Sequence, residues 1–272
     1  MSVRFWGVRG SIPCPGPDTV RYGGNTSCVE IRCGDRVLIF DAGTGIRPLG
    51  NALTAANKVV DTDIFLSHCH IDHLTGLPFF APLLGEGNRI RIWAGNLKPA
   101  CGIEDAVRKV MSFPLFPIEV DMSKSKVEFR DFRAGETLNP RPGIVVRTAP
   151  LNHPGGATGY RIDHAGRSVA YLTDTELGNG PVNPALLSLA KGASLVIIDA
   201  TYTEEELPSH IGWGHSTWQQ CVQLAEAAGA EKLCLFHHDP DHDDAIMDKI
   251  AAAASAARPG TIVATEGLRI DL

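Results

Sequence analysis

No Cys-x-x-Cys pair occurs among the seven cysteines, which stand apart at positions 14, 28, 33, 69, 101, 221 and 234. An odd number without paired spacing argues against a disulfide framework and a cysteine-rich structural zinc site, and it fits thiols kept reduced. Nowhere is there the uncharged apolar run of roughly 18 residues that a membrane helix needs. The opening Met1-Ser2-Val3-Arg4-Phe5-Trp6-Gly7 lacks a basic segment followed by an apolar stretch. These absences speak against a signal peptide and a membrane partner, so a cytoplasmic location is expected. Basic residues are outnumbered 25 to 31, giving a net charge of -6, which leaves no broad basic face for nucleic acid although a local basic groove stays open. Long Ser/Gly/Pro linkers and solenoid repeats are missing too, so residues 1–272 are expected to form a single domain.

Apolar residues make up 44% of the chain and charged residues 21%, enough for a buried core and against disorder. Short β-rich runs follow one another: 3–6, 28–32, 37–40, 63–66, 90–93, 144–148, 159–162, 168–172 and 195–198. Gly- or Pro-rich turns separate many of them, including the loop from Gly7 to Asn25. Helical spacing is clearest late in the chain. Ser216-Thr217-Trp218-Gln219 has a capping-box pattern ahead of Trp218, Cys221, Val222 and Ala225, and Gly229 stops the run. A second helix is expected from Asp243 to about Ala256. Strands mixed irregularly with helices, with hairpins among them, indicate two packed mixed sheets with outer helices rather than a doubly wound parallel sheet.

The densest chemistry is His68-Cys69-His70-Ile71-Asp72-His73, directly after the apolar strand Ile64-Phe65-Leu66. Loops at strand ends commonly display functional groups. Imidazole and carboxylate together suit zinc, and also iron or manganese, and such close spacing lets side chains serve two adjacent ions. The bland alternative is a polar loop whose histidines only make hydrogen bonds. Three of the ten histidines and an aspartate packed into six positions favour the metal.

This run resembles the signature of the metallo-β-lactamase superfamily. Three further segments match it in order: Leu151-Asn152-His153-Pro154-Gly155, Leu172-Thr173-Asp174-Thr175 and Leu233-Cys234-Leu235-Phe236-His237. The resemblance implies an α/β (α+β) fold, a four-layer αββα sandwich, holding two divalent metal ions, zinc first with manganese or iron as alternatives. It assigns His68, His70 and His153 to one ion, Asp72, His73 and His237 to the other, and Asp174 to the bridge. A hydroxide between such ions is the implied nucleophile, with Asp72 helping to orient it. Taken singly, His153 and His237 could be structural histidines and Asp174 a turn cap. His238 and His242 compete for the last position.

A finer resemblance, to the ribonuclease Z and phosphoribosyl cyclic phosphodiesterase branch, rests on Ile198-Asp199-Ala200-Thr201-Tyr202 and Gly214-His215-Ser216-Thr217. It implies catalytic roles for His215, beside a helix N-terminus that favours anions, and for its acidic partner Asp199. Phosphodiester hydrolysis is the expected activity. Asp174 follows His153 by only 21 positions, which leaves no room there for a long RNA-grasping arm. The runs Phe5 to Pro13 and Tyr22 to Ser27 instead resemble bacterial proteins grouped with phosphoribosyl cyclic phosphodiesterases, and with the acidic charge this implies a small or cyclic phosphodiester as substrate, against extended nucleic acid or tRNA. A second copy of the chain is a candidate partner. A lactone or β-lactam hydrolase explains the ligands but leaves Asp199 and His215 idle, and an iron-binding sensor or redox module is the non-hydrolytic alternative. Arg9 and Asn25 could reach a phosphate but are read most simply as turn residues. Ser112 to Pro117 could form an apolar lip, core or dimer contact, and His210 and Trp213 could shape the pocket.

Overall fold

Strands that carry apolar residues on both parities need cover on both faces, and this requirement organises the chain. The computed structural model describes residues 1–56, 58–117, 124–178, 180 and 182–272. The elements run β1 (Ser2–Gly7), β2 (Cys28–Cys33), β3 (Arg36–Phe40), α1 (Ile46–Ala55), β4 (Asp61–Leu66), the single turn α2 (Ile71–Leu74), β5 (Arg89–Ala94), α3 (Ile103–Val110) and β6 (Lys126–Asp131). There follow β7 (Thr137–Arg141), β8 (Ile144–Leu151), β9 (Ala157–His164), β10 (Arg167–Leu172), α4 (Pro184–Ala190), β11 (Leu195–Asp199), α5 (Trp218–Ala228), β12 (Leu233–Phe236), α6 (Asp244–Ala257), β13 (Ile262–Val263) and β14 (Arg269–Asp271). Among the described residues no helix is long and apolar enough to cross a membrane.

Two seven-stranded sheets result, in the orders β14-β1-β2-β3-β4-β5-β6 and β13-β12-β11-β10-β9-β8-β7. Each is mixed: β3 to β6 are parallel and β14 to β3 antiparallel, while β10 to β13 are parallel and β7 to β10 antiparallel. Alternation within a strand serves two cores. Phe65 of β4, Tyr171 of β10 and Ile197 of β11 fill the space between the sheets. Ile64 and Leu66 turn outward under α1 and α3, and Leu172 and Ile198 turn outward under α4, α5 and α6. The arrangement is the expected layered sandwich of two mixed sheets with outer helices.

Every strand run expected from the sequence is a strand. The helix expected after His215 begins one residue later than the motif suggested. Thr217 is the N-cap, accepting from Gln220 N, while the Gln220 side chain accepts from Thr217 N. Ser216 instead donates to Thr175 O at 2.5 Å. Helix α1 was not legible because Pro48 and Gly50 interrupt its pattern. The proline lies in the first turn, where its missing N–H costs nothing, and a Cβ on Gly50 would come within 2.8 Å of the Phe80 ring.

The two sheets are also tied by charge. Arg141, ending β7 of the second sheet, donates to Asp63 Oδ2 at 2.6 Å and to Asp61 Oδ1 at 2.5 Å on β4 of the first. Arg91 adds a 2.8 Å bond to Asp61. Burial opposes the Asp61 charge, but hydrogen bonds from Arg141 and Arg91 overcome it and hold the carboxyl down at about 2. Asp63 is fully buried. Breaking a buried ion pair strands the remaining charge, so Arg141→Ala should lower unfolding free energy in urea by about 3 kcal/mol. The Asp61 pKa is depressed in the folded state, so its stabilisation is complete above the unfolded value of about 4 and fades as pH falls toward 2. Thermal melts of Asp61→Asn should therefore lose less stability than the parent protein between those pH values, and parallel losses would show that Asp61 is uncoupled from the arginines.

Candidate metal centre

Parallel strands present their carboxyl ends together, and the candidate residues from the sequence collect there with one further aspartate, Asp41. Asp41 follows β3, His68 to His73 follow β4, His153 follows β8, Asp174 follows β10, Asp199 ends β11 and His237 follows β12. Three of these strand exits use the left-handed region, with φ of 61° at Asp41, 56° at Asp174 and 61° at His237. A non-glycine residue there costs about 1 kcal/mol or more. Asp tolerates it best because its short polar side chain bonds locally, and each of the three is locked by contacts around the cluster.

Asp174 divides the centre between its two oxygens. Oδ1 lies 3.8 Å from His68 Nε2 and 3.7 Å from His153 Nε2. Oδ2 lies 3.2 Å from His73 Nε2 and 3.3 Å from His237 Nε2. Asp72 Oδ2 joins the second group, 3.1 Å from His73 Nε2 and 3.4 Å from His237 Nε2, and it also accepts from Ser11 N at 2.8 Å. His70 joins the first, with Nδ1 3.1 Å from His153 Nε2. Among the described residues, ligand-type atoms thus gather as His68, His70 and His153 on one side and Asp72, His73, Asp174 and His237 on the other, with a third, overlapping group of Asp174, Asp199, His215 and His237.

Three of these buried nitrogens, His68 Nε2, His73 Nε2 and His237 Nε2, have no hydrogen-bond partner. Buried polar atoms are almost always satisfied, so orphaned nitrogens converging on carboxylates fit a pair of divalent cations. The electrostatics agree. Burial works against the Asp72 charge, but His73 and His237 hold its carboxyl far below the usual range, and Asp174 is likewise lowered by His237 and His73 against its burial. Burial keeps His68 and His153 low, in the neutral form that metal ligation needs. His73 is raised against its own burial by Asp174, Asp72 and Asp41: the carboxylates draw positive charge into this spot.

The opposite ring nitrogens are held by groups that sequence reasoning passed over. Asp41 is the main one. It accepts from His73 Nδ1 at 2.8 Å, from Ser67 N at 2.7 Å and from Tyr171 Oη at 2.8 Å. Thr201 Oγ1 stands 3.0 Å from His237 Nδ1, and Gly214 O accepts from His153 Nδ1 at 3.0 Å. Such partners fix the tautomer so that Nε2 faces the metal. Asp41 could have been noticed as a carboxylate at a strand end before a Gly-rich turn, as with Asp174. Gly10 is needed against the site, since a Cβ there would fall 2.3 Å from the His237 ring.

His215 is brought beside both groups. Its ring stacks on His237 at 5.0 Å and meets His153 edge-on at 5.3 Å. Nδ1 bonds Asp199 Oδ2 at 2.7 Å. Burial opposes a charged ring, yet Asp199 outweighs it and lifts His215 to about 9. His238 and His242 stay out of the centre, His238 bonding Ala264 O and His242 bonding Glu206. Arg9 and Asn25 bond within the protein: Arg9 is buried, bridges to Thr26 and His238 and donates to Gly23 O and His242 O, and Asn25 bonds Glu266. The segment from Ser112 to Pro117 is exposed at Phe113 and Leu115 and packs through Phe116 on Phe79.

A family model described as a beta-lactamase superfamily domain matches residues 36–238. The chain is 24% identical to a ribonuclease Z of Synechococcus sp. (strain CC9311), an alignment covering 100% of this chain and 99% of that protein. Among solved structures, the metallo-beta-lactamase fold protein YhfI from Bacillus subtilis superposes with a TM-score of 0.72 at 18% identity, covering 99% of each chain. The short form of human tRNase Z superposes with a TM-score of 0.68 at 20% identity, covering 100% of this chain and 99% of that one. These likenesses overturn the expectation of a small diester with tRNA set aside. Proteins named for cutting RNA and tRNA align along the whole chain. The short His153–Asp174 interval shows only that no arm sits on that hairpin, and net charge averages over a surface whose regions differ.

Asn tolerates the left-handed backbone of Asp41 and preserves its shape without its charge. Asp41→Asn should therefore weaken divalent-metal binding about tenfold, within the range for lost ligand-orienting partners, as read by competition with a chromogenic chelator. Undiminished affinity would show that Asp41 does not tune His73.

Proposed function

The chain belongs to the beta-lactamase superfamily, and on that premise we propose that it is a dinuclear-metal phosphodiesterase that cuts a P–O bond in RNA. The ions would be held by His68, His70 and His153, by Asp72, His73 and His237, and by Asp174 between them, with zinc the first candidate for this imidazole and carboxylate donor set. Residues 1–272 would act as one domain, a reading supported by the pairing of β14 with β1. A cytoplasmic location belongs to it as well, supported by seven free cysteines.

The observation that carries the reading is the His215–Asp199 pair. With Nδ1 bound to Asp199, which favours the protonated ring, the Nε2–H is left for substrate. It would bond a phosphoryl oxygen and, as the ester bond breaks, pass that proton to the departing oxygen, while Asp199 steadies the imidazolium. Two divalent ions held there would supply Lewis acidity, making water nucleophilic at neutral pH and offsetting the negative charge on the phosphoryl oxygens. Thr201 links the dyad to the ligands, since its hydroxyl contacts both Asp199 Oδ1 and His237 Nδ1. RNA as the substrate class is supported by similarity to the Synechococcus ribonuclease Z along the full chain.

His215→Ala should reduce kcat on a short RNA and on bis(p-nitrophenyl) phosphate by about 10²- to 10³-fold. Metal content by plasma emission should not change, and chelation should abolish the activity of the parent protein. Turnover undisturbed by the substitution would remove the acid role, and a lost equivalent of metal would make His215 a ligand instead.

A further inference from the structure

Four large aliphatic or aromatic side chains stand exposed on residues adjoining the centre. Ile12 follows Ser11, whose amide holds Asp72, and Ile71 lies between His70 and Asp72. Ile211 and Trp213 precede His215, and Trp213 is 59% exposed. The aliphatic groups can flank a ligand, but only the indole offers a flat π face. We infer that Trp213 is the stacking platform for the nucleobase next to the phosphodiester being cut, an inference that rests on the phosphodiesterase reading above.

The indole is displayed by a turn built to hold it. Gly212 and Gly214 flank it at φ of 87° and 88°. Both of their amides donate to one carboxylate oxygen, Glu176 Oε2, at 2.8 and 3.1 Å, and Trp213 N donates to His210 O at 3.1 Å. A turn whose backbone is already fixed loses little entropy when its side chain receives a ligand. Its packing leaves a face free. His210 stacks on Tyr202 at 4.4 Å, and Trp213 meets His210 at 87° with centroids 4.7 Å apart. If the indole edge meets the imidazole, both indole faces are open, and if the imidazole edge meets the indole, the far face is.

Position selects the ligand. The next residue, Gly214, accepts from His153 Nδ1, and the one after is His215, so a group resting on Trp213 is a near neighbour of whatever lies between His215 and the metal ligands. In RNA the neighbour of a phosphodiester is a nucleoside, and unstacked bases of single-stranded ends are commonly received on aromatic side chains. Stacking accepts any base, because every base has a π face.

The test uses purified full-length protein and two short single-stranded RNAs, identical except that one has an abasic ribose beside the bond to be cut. Base-bearing RNA should quench the indole emission of the parent protein. Trp213→Phe should remove that quenching, the other three tryptophans remaining, while keeping the Kd from labelled-RNA anisotropy within about threefold. Trp213→Ala should weaken binding of base-bearing RNA about tenfold, the 1.4 kcal/mol of one decade, and should not affect the abasic RNA. Equal weakening for both RNAs, or binding without quenching, would overturn the platform. If the zinc-loaded parent protein cuts the RNA while quenching is absent, the phosphodiesterase reading survives and the platform does not. Quenching without cleavage of any phosphodiester overturns both.

Discussion

Asp174 is a carboxylate buried to 2% exposure in a left-handed turn, facing four imidazole nitrogens through its two oxygens. Neither the burial nor the backbone conformation is favourable alone. Both persist because the surrounding strands leave the side chain nowhere else to go: β9 and β11 flank β10 in register up to Tyr171 and Leu172, and the apolar cores on each face of the second sheet fix its height. The two sheets then bring β4 and β12 alongside from different layers. The centre is therefore a product of the sandwich rather than of any one loop, and Asp174 is where the layers meet in charge.

That constraint explains what the sequence revealed and what it hid. The run His68 to His73 was conspicuous because several ligand types fall within one loop. His153, Asp174 and His237 became legible through the superfamily resemblance, which their segments match in order. Asp41 did not, for its work is to hold His73, 32 residues away, across the β3–β4 pairing that sets Phe40 beside Phe65. Thr201 orients His237 in the same indirect way. Orienting groups need only be near in space, so they leave no spacing pattern along the chain.

Secondary structure failed to show itself for a related reason. In α1, Pro48 and Gly50 break the helical pattern, yet Gly50 is required by the approach of Phe80. Tertiary packing, not propensity, decides that helix. The edge strands β6 and β14 carry exposed charges on their outer residues and so lack the continuous apolar runs that mark the interior strands. The substrate expectation went astray differently. It treated a short hairpin and an averaged net charge as if they described the surface around the metals, whereas a substrate meets particular residues at the rim.

Those residues are governed from one place. The three positions leaving β10 act in succession on three parts of the site. Asp174 addresses the imidazoles, Thr175 N donates to Asp199 Oδ2 at 3.2 Å, and Glu176 clamps the turn that carries Trp213. Glu176 is itself tied to Asn152, the residue before His153, by a bond in each direction between N and O, 2.9 Å from its own amide and 3.0 Å from the Asn152 side chain. Backbone movement at this exit would disturb the ligand cluster, the His215–Asp199 pair and the rim together. The Trp213 ring lies outside this hydrogen-bond network. On the proposed reading it can be exchanged without disturbing the metal ligands or His215, so that substrate choice can vary at the rim while the chemistry stays fixed.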